Sequence, residues 1–216
     1  MTGASDVHEQ ARRALSDPDA LRAHIQRLLA ARPPRVLPLP PGMRRAAVLV
    51  PLVQAPGGTA VLLTQRTETV EQHKGQISFP GGGLENGESP LDAALRETRE
   101  EIGISPVDVE ILGELDDEET AVSGFLVTPF VGVVASPSRL RLSPQEVRAV
   151  LHVPLAVLLD PRNVRTEIWT RRGHERVLMY FYTAGRDVIW GATARIIARF
   201  LHAVFGVSYP QQDDAS

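Results

Sequence analysis

The stretch that decides the fold is GGLENGESPLDAALRETREEIGI, residues 82–104. It predicts a glycine-rich loop that leads directly into a helix. Ser89 is a good N-cap, and Pro90 suits the first helical turn, where its missing N–H costs nothing. Gly103 predicts the end of the helix, because glycine readily adopts the left-handed conformation of a C-terminal cap. We therefore expect a loop followed by a helix with a signal at each end.

Three carboxylates lie close together on this predicted helix. Glu97, Glu100 and Glu101 stand at positions i, i+3 and i+4, so they project from one side. Like charges at these spacings destabilise an isolated helix by roughly 0.2–0.5 kcal/mol per pair. A divalent cation explains the cluster, since Mg²⁺ and Mn²⁺ are hard ions that prefer carboxylate and carbonyl oxygens. A solvated acidic helix face is the alternative, and the glycine-rich loop just upstream argues against it.

The spacing of these residues resembles a complete Nudix box. Gly82 is followed after five residues by Glu88, and after seven more by the run Arg96–Ile104. The one departure is Thr98, where the family usually has an aliphatic residue. The resemblance implies an α/β fold, namely an α/β/α sandwich with a mixed β-sheet. It also implies metal-dependent hydrolysis of a nucleoside diphosphate that is linked to another moiety.

The resemblance also implies roles for individual residues. Glu97, Glu100 and Glu101 would hold Mg²⁺ or Mn²⁺, helped by the Gly81 carbonyl, and would carry the catalysis. The ions would neutralise the diphosphate and activate water. Arg96 would orient a glutamate of the loop–helix, with Glu88 as the candidate.

A second resemblance points to the coenzyme A pyrophosphatase branch of the family. It rests on the segment from Leu62 to Gly82 and on the run IWGATAR, residues 189–195. Two positions depart from the pattern, because Thr67 replaces a serine or alanine and Glu71 stands where an arginine is expected. The implied substrate is coenzyme A, which would give 3′,5′-ADP and 4′-phosphopantetheine.

Cations near the carboxylates suit a substrate with several phosphates. Arg66, His73 and Lys74 are the candidates for holding these phosphates, together with Gly81 and Gly82 of the loop. A few surface cations on a loop is the alternative interpretation.

Many Nudix enzymes carry a further glutamate, after the box, that acts as a general base or metal ligand. Glu146 is the candidate for this fourth catalytic residue. The alternative is a glutamate in the first turn of a short helix, where it would favour the helix dipole.

Composition excludes several classes of protein. The chain has 216 residues and a net charge of −3, which gives no broad basic surface for nucleic acid. It has no cysteine, so disulfides, zinc–thiolate sites and thiol catalysis are excluded. No apolar run reaches the length of a membrane span, and no signal-peptide core is present. We therefore expect a cytoplasmic protein that binds a small-molecule substrate and neither nucleic acid nor membrane.

The chain divides into three predicted parts. Residues 1–41 form a helical extension, with helices at Asp6–Leu15 and Asp17–Arg32 and then a proline-rich linker. Residues 42–206 form the Nudix domain, and residues 207–216 a disordered tail. The extension is expected either to dock on the domain or to make a homodimer contact.

Three local features lead to further expectations. Pro129 interrupts the apolar strand Phe125–Val134, which predicts an edge position or a bulge. The acidic run of residues 116–119 predicts a solvated loop that could reach the metals. Residues 166–183 predict a hairpin ahead of a last helix that ends near Phe205. The second strand of this hairpin is expected to belong to the core, and the alternative is that some of its residues line a nucleotide or pantetheine groove.

Other functions remain open on the sequence. One is hydrolysis of ADP-ribose or a dinucleotide such as NADH, which the departure at Glu71 keeps in view. Another is a nucleotide-binding module without catalysis, although such a module would be expected to have lost box glutamates. A third is a scaffold whose N-terminal helices mediate assembly.

Overall fold

A computed structural model describes residue 15 and residues 17–67, 75–120, 124–135, 140–170 and 176–208. Some of the predictions concern residues outside these ranges. They are the predictions for Glu71, His73 and Lys74, for most of the helix Asp6–Leu15, and for residues 209–216.

The described residues form four helices and two β-sheets, numbered here in chain order. The helices are α1 (Pro18–Ala30), α2 (Pro90–Ile102), α3 (Leu155–Leu159) and α4 (Gly191–Phe205). The strands of the larger sheet are β1 (Arg44–Ala55), β2 (Gly58–Arg66), β3 (Ile77–Ser78), β4 (Gly81–Gly83), β5 (Val109–Glu114), β6 (Glu118–Glu119), β7 (Phe125–Val134) and β8 (Val147–Pro154). The strands of the smaller sheet are β9 (Val164–Thr170), β10 (Arg176–Ala184) and β11 (Asp187–Ile189).

Strand β1 lies at the centre of the larger sheet. On one side it pairs with β7 in parallel, and on the other it pairs antiparallel with β4 and then with β2. Strands β3 and β8 extend the sheet beyond β2, and β5 and β6 extend it beyond β7. One parallel pair among antiparallel pairs makes this a mixed sheet, as predicted.

The alternation of side chains along β1 separates two cores. Val50 and Leu52 belong to a cluster that includes α1 and α4, whereas Ala47 and Leu49 belong to a cluster with α2. Successive residues of a strand point to opposite faces, so the helices cover both sides of the sheet. The predicted α/β/α sandwich is confirmed.

Helix α1 packs into the same core as the last helix. Its apolar side chains Leu21, Ile25 and Leu29 are at most 4% exposed and join the cluster that contains α4. The ring nitrogen Nε2 of His24 lies 3.0 Å from the carbonyl oxygen of Val204 in α4. The apolar face of α1 is therefore covered by its own chain and is not available to a second copy.

Strand β7 is not at an edge, so the edge expectation for Pro129 is wrong, whereas the pairing of β7 with β5 does contain a bulge, at Ile111–Gly113 opposite Val131 and Gly132. The strand has β1 on one side and β5 and β6 on the other. The Pro129 carbonyl accepts a hydrogen bond from Leu115 N–H, which places the missing N–H of Pro129 on the same side. There β5 has ended at Glu114 and β6 begins only at Glu118. Proline is tolerated in this central strand because the gap leaves no ladder bond to lose.

The acidic run after β5 is not a solvated loop, so that prediction is also wrong. Asp117 is 1% exposed and Glu118 is 3% exposed. Asp117 accepts hydrogen bonds from the Thr128 hydroxyl (2.7 Å) and the Leu37 N–H (2.9 Å). Glu118 pairs with arginines of α4, as described below. Buried carboxylates need such partners, because an unpaired charge in the interior is costly.

The C-terminal elements follow the prediction. The hairpin is formed by β9 and β10, and Tyr182 in its second strand is fully buried, which supports the core interpretation. Helix α4 ends at Phe205 and is capped by Gly206 in the left-handed conformation. None of the helices in the described part of the chain is both long and apolar enough to cross a membrane.

Candidate active site

The loop–helix is built as its local sequence predicts. Helix α2 begins after Ser89, whose hydroxyl oxygen accepts the N–H of Asp92 and whose O–H donates to the Asp92 carboxylate at 2.6 Å. It ends at Gly103, which has a φ of 77° and donates its N–H to the Arg99 carbonyl. The helix therefore has fixed ends, and the positions of its glutamates are fixed with them.

Two glycines of β4 allow the strand to approach its neighbours closely. A Cβ atom on Gly82 would lie 2.4 Å from Oε1 of Glu97, so this position leaves room for the carboxylate. A Cβ atom on Gly81 would lie 2.3 Å from the Ala47 carbonyl oxygen on β1. Gly82 therefore makes space for a candidate site residue, whereas Gly81 makes space for the sheet.

The three glutamates of α2 occupy different environments. Glu101 is 3% exposed, and its buried Oε2 atom has no hydrogen-bond partner among the described residues. The Glu97 side chain is 19% exposed and the Glu100 side chain 52% exposed. The sequence spacing places the three on one side but does not predict how differently they are solvated.

Burial raises the pKa of Glu101 to about 8. The guanidinium of Arg66 opposes the rise, with Nη1 3.8 Å from Oε1, and so does a hydrogen bond from the Gly81 N–H. The charges of Glu97 and Glu146 add to the rise. Burial also raises the pKa of Glu97, against the effect of its bond to Arg96. A cation at these carboxylates would favour their charged forms.

Arg96 connects the helix to the loop before it. It donates from Nε and Nη2 to the two carboxylate oxygens of Glu88, at 2.8 and 3.0 Å, and from Nη2 to the Gly83 carbonyl at 3.1 Å. The predicted pairing of Arg96 with Glu88 is thus confirmed. The bond to Arg96 also lowers the pKa of Glu88.

Arg96 also contacts two of the predicted metal ligands, as expected from its position beside the three glutamates. Its Nη1 atom donates to Glu97 Oε1 at 2.8 Å and to Glu100 Oε2 at 3.2 Å. The i, i+4 spacing of Arg96 and Glu100 was a signal for one of these contacts. Arg96 therefore offsets part of the repulsion within the acidic cluster.

The carboxylates of Glu97, Glu100 and Glu101 offer oxygen donors for a divalent cation. Within the residues that the structure describes, no three His, Cys, Asp or Glu side chains converge into a complete metal site. Arg96 accounts for this on the Glu97 and Glu100 side. However, Glu101 presents a buried oxygen without a partner, next to two other carboxylates whose charges reach it. Oxygen donors of this kind are the ligands that Mg²⁺ and Mn²⁺ prefer, so the residues fit such an ion.

Arg66, at the end of β2, and Glu146, in the turn before β8, lie beside this cluster. The buried Nε atom of Arg66 has no hydrogen-bond partner in the part of the chain that the structure describes. The next residue, Thr67, donates its backbone N–H to the Glu146 carbonyl at 3.0 Å. Glu146 is exposed in a turn just before β8, so the helix-dipole alternative for this residue is wrong. Its charge raises the pKa of both Glu97 and Glu101, which places it near them.

Two distant motifs of the sequence meet at β3. The Thr193 hydroxyl, in the first turn of α4, donates to the Ile77 carbonyl at 3.1 Å. A Cβ atom on Gly191 would lie 3.7 Å from Nε2 of Gln76. The start of α4 therefore contacts the strand that follows the segment containing His73 and Lys74. Sequence reasoning identified both motifs but had no basis for predicting their contact.

Comparison with known proteins gives consistent matches. Residues 43–171 match the NUDIX domain family. An uncharacterised Nudix hydrolase named NudL from Klebsiella pneumoniae is 42% identical over 156 residues, which are 71% of this chain and 79% of that protein. Its counterpart from Escherichia coli is 40% identical over the same shares of the two chains. A MutT/nudix family protein from Enterococcus faecalis has a TM-score of 0.51 at 19% identity, over 79% of this chain and 65% of that chain, which supports the fold.

Proposed function

Because the chain belongs to the Nudix family, we propose that it hydrolyses the pyrophosphate bond of coenzyme A or a coenzyme A derivative. The products would be 3′,5′-ADP and 4′-phosphopantetheine. Nudix hydrolases act on nucleoside diphosphate derivatives and generally use divalent metals. Within that class we propose coenzyme A as the substrate, and we propose Mg²⁺ or Mn²⁺ as the ion.

One observation carries the choice of coenzyme A. The two sequence segments that resemble the coenzyme A branch are in contact, through the hydrogen bond from Thr193 to the Ile77 carbonyl. These two residues are 116 positions apart in the sequence. Two segments that adjoin in the fold can contact the same ligand, which supports a shared role in recognising one substrate.

The residues of the site have distinct proposed roles. Glu97, Glu100 and Glu101 would hold the ion, with the Gly81 carbonyl as a further donor. The bound ion would neutralise the diphosphate and activate water for attack. Glu146 is exposed to solvent and close to the other carboxylates, so it is the proposed base that accepts a proton from the attacking water.

The positively charged residues would act on the phosphates. Arg66 lies 3.8 Å from Glu101 and would stabilise charge that develops on the leaving phosphate. His73, Lys74 and Gly82 complete the proposed phosphate contacts. Arg96 would hold the loop–helix in shape and is not proposed to contact the substrate.

A second candidate is hydrolysis of ADP-ribose or NADH. The observation that favours it is Glu71, a negative charge in the segment proposed to bind phosphates. A module that binds nucleotides without hydrolysing them is less well supported, because every glutamate of the box is present.

The proposal is tested by assaying the purified protein with coenzyme A, dephospho-coenzyme A, ADP-ribose and NADH, each with Mg²⁺ and with Mn²⁺. We expect coenzyme A to be hydrolysed faster than dephospho-coenzyme A, because the 3′-phosphate would be recognised. Faster hydrolysis of ADP-ribose or NADH would favour the second candidate. No hydrolysis of any of the four would favour the binding module.

The metal-site assignment is tested by Glu101→Gln in the same assay. The rate should fall by a factor of at least about 100, since loss of a residue that only supports a metal ligand typically costs 10–100-fold. The circular dichroism spectrum should be unchanged. A variant that kept the wild-type rate would contradict the assignment.

A further inference from the structure

A cavity of about 740 Å³ lies between α4, β10 and the end of α1. Helix α4 belongs to the core on the face of the sheet opposite α2. None of the residues that line this cavity is a predicted residue of the catalytic site. The cavity is thus a separate feature of the described structure, and the proposed function does not account for it.

Three arginines line the cavity: Arg32, Arg195 and Arg199. Their carboxylate partners are Asp116, which pairs with Arg32 and Arg199, and Glu118, which pairs with Arg195 and Arg199. Three guanidinium groups therefore face two carboxylates, which leaves one excess positive charge. Neutralising Asp116 and Glu118 does not require the third arginine.

The arginines also keep hydrogen-bond donors that these partners do not use. Arg199 donates from Nε to Glu118 at 2.8 Å, whereas its Nη1 atom lies 3.6 Å from Asp116, beyond hydrogen-bond distance. Arg32 donates from Nη2 to Asp116. The side chains of Arg32 and Arg199 are 36% and 35% exposed, so their remaining N–H groups can be reached by a ligand. A guanidinium group carries five N–H donors, and most of those on Arg199 have no partner among the described residues.

The rest of the wall is mixed, with Asp116, His202 and Ser208 as its other polar side chains and an apolar part beside them. Leu115, Leu178, Ala203 and Val207 line it, together with the half-buried ring of Tyr180. Ligand pockets of about 300–1,000 Å³ typically combine an apolar lining with a few convergent polar groups. An apolar wall with an aromatic ring suits a base or another flat organic group, while the arginines suit its charged end.

We propose that this cavity is a binding site for a nucleotide-sized organic phosphate. Guanidinium groups bind phosphate through paired N–H donors. Arg32, which follows the end of α1, and Arg199 of α4 both line the cavity. The phosphate would lie against these two arginines and would neutralise the excess charge. The organic part would lie on Tyr180 and the apolar wall.

The test is calorimetric titration of the full-length protein with ADP in the presence of EDTA, which removes divalent ions from the catalytic site. We expect one ADP to bind per chain. Inorganic pyrophosphate and adenosine are the comparison ligands, and each should bind more weakly than ADP because each lacks one half of the interaction. No binding of ADP to the metal-free protein would overturn the proposal.

Four variants locate the site. Arg199→Gln should weaken ADP binding by about tenfold or more, since it removes a charge-assisted hydrogen bond. Ala203→Leu reduces the cavity without changing any charge, and it should also weaken ADP binding. It tests the same site even if Arg199→Gln disturbs Glu118. Arg162→Gln is the matched control, because Arg162 is 87% exposed and its ion pair within the described structure is with Asp160. Arg66→Gln alters the catalytic site and should leave ADP binding in EDTA unchanged.

Two results would place the nucleotide elsewhere and overturn the proposal. One is ADP binding that survives both Arg199→Gln and Ala203→Leu. The other is binding that is lost in Arg66→Gln. Neither result bears on hydrolysis, which is measured separately with Glu101→Gln, so the two proposals can fail independently.

Discussion

At the scale of single residues, Glu101 couples the chemistry of the site to the stability of the protein. Burial raises the pKa of this carboxyl from 4.5 to about 8, because the carboxylate anion is poorly solvated in the core. The folded protein then favours the protonated form in the absence of metal. The contribution of this group to the free energy of unfolding is fully present below pH 4.5. It is lost as the pH rises from there through 8, because the unfolded state releases this proton more readily than the folded state.

Thermal unfolding of the metal-free protein tests this dependence. Between about pH 5.5 and about pH 9 the Tm of the wild type should fall more steeply than that of Glu101→Gln, which cannot ionise. Glu100→Gln removes a charge from the exposed side of the same helix and should keep the wild-type slope. Equal slopes for the wild type and Glu101→Gln would contradict the assigned pKa.

At the scale of elements, the close approach of β4 to α2 depends on glycine at position 82 but not at position 83. A Cβ atom on Gly82 would press on the Glu97 carboxylate, whereas one on Gly83 would meet Phe125 Cε1 at an ordinary 3.7 Å. Because the atom displaced at Gly82 is the end of a flexible side chain, the fold can accommodate it. The cost should therefore fall on activity more than on stability.

The matched pair Gly82→Ala and Gly83→Ala tests this distinction. We expect Gly82→Ala to lower kcat by about tenfold or more while Tm changes little, because the displaced carboxylate is a proposed metal ligand. Gly83→Ala should keep both values close to those of the wild type. Equal activity in the two variants would mean that the position of Glu97 does not matter for the reaction.

The elements also explain which predictions succeeded. Helix α2 was predictable because its two capping residues, Ser89 and Gly103, directly flank it in the sequence. The interior position of Pro129 in the sheet was not predictable, because it depends on where β5 ends and β6 begins. The burial of Glu118 was not either, since its partner Arg199 is 81 residues away in the sequence. Local signals set the boundaries of the helix, whereas burial and pairing are decided by residues that only the fold brings together.

At the scale of the whole molecule, the N-terminal helix is part of the domain core. Ile25 is fully buried between the larger sheet and α4. Replacing it by alanine should lower the free energy of unfolding by about 2–5 kcal/mol, the usual cost of such a cavity. The activity of the remaining folded protein should be unchanged, since the three glutamates proposed to hold the metal lie on α2, on the opposite face of the sheet.

Gln26→Ala is the control for that experiment, because Gln26 is the exposed neighbour of Ile25 on the same helix. Chemical denaturation of both variants gives the comparison. If Ile25→Ala were as stable as Gln26→Ala, the docking of α1 against α4 would be incorrect.

The contact between α1 and α4 has a consequence for synthesis in the cell. His24 and Val204 are 180 residues apart, and the ribosome makes the first long before the second. Until α4 has been made, the side chains Leu21, Ile25 and Leu29 of the nascent chain lack the part of their cover that α4 provides. We expect this helix to be the segment that chaperones and proteases encounter on an unfinished chain, and a premature stop before α4 to mark the product for degradation.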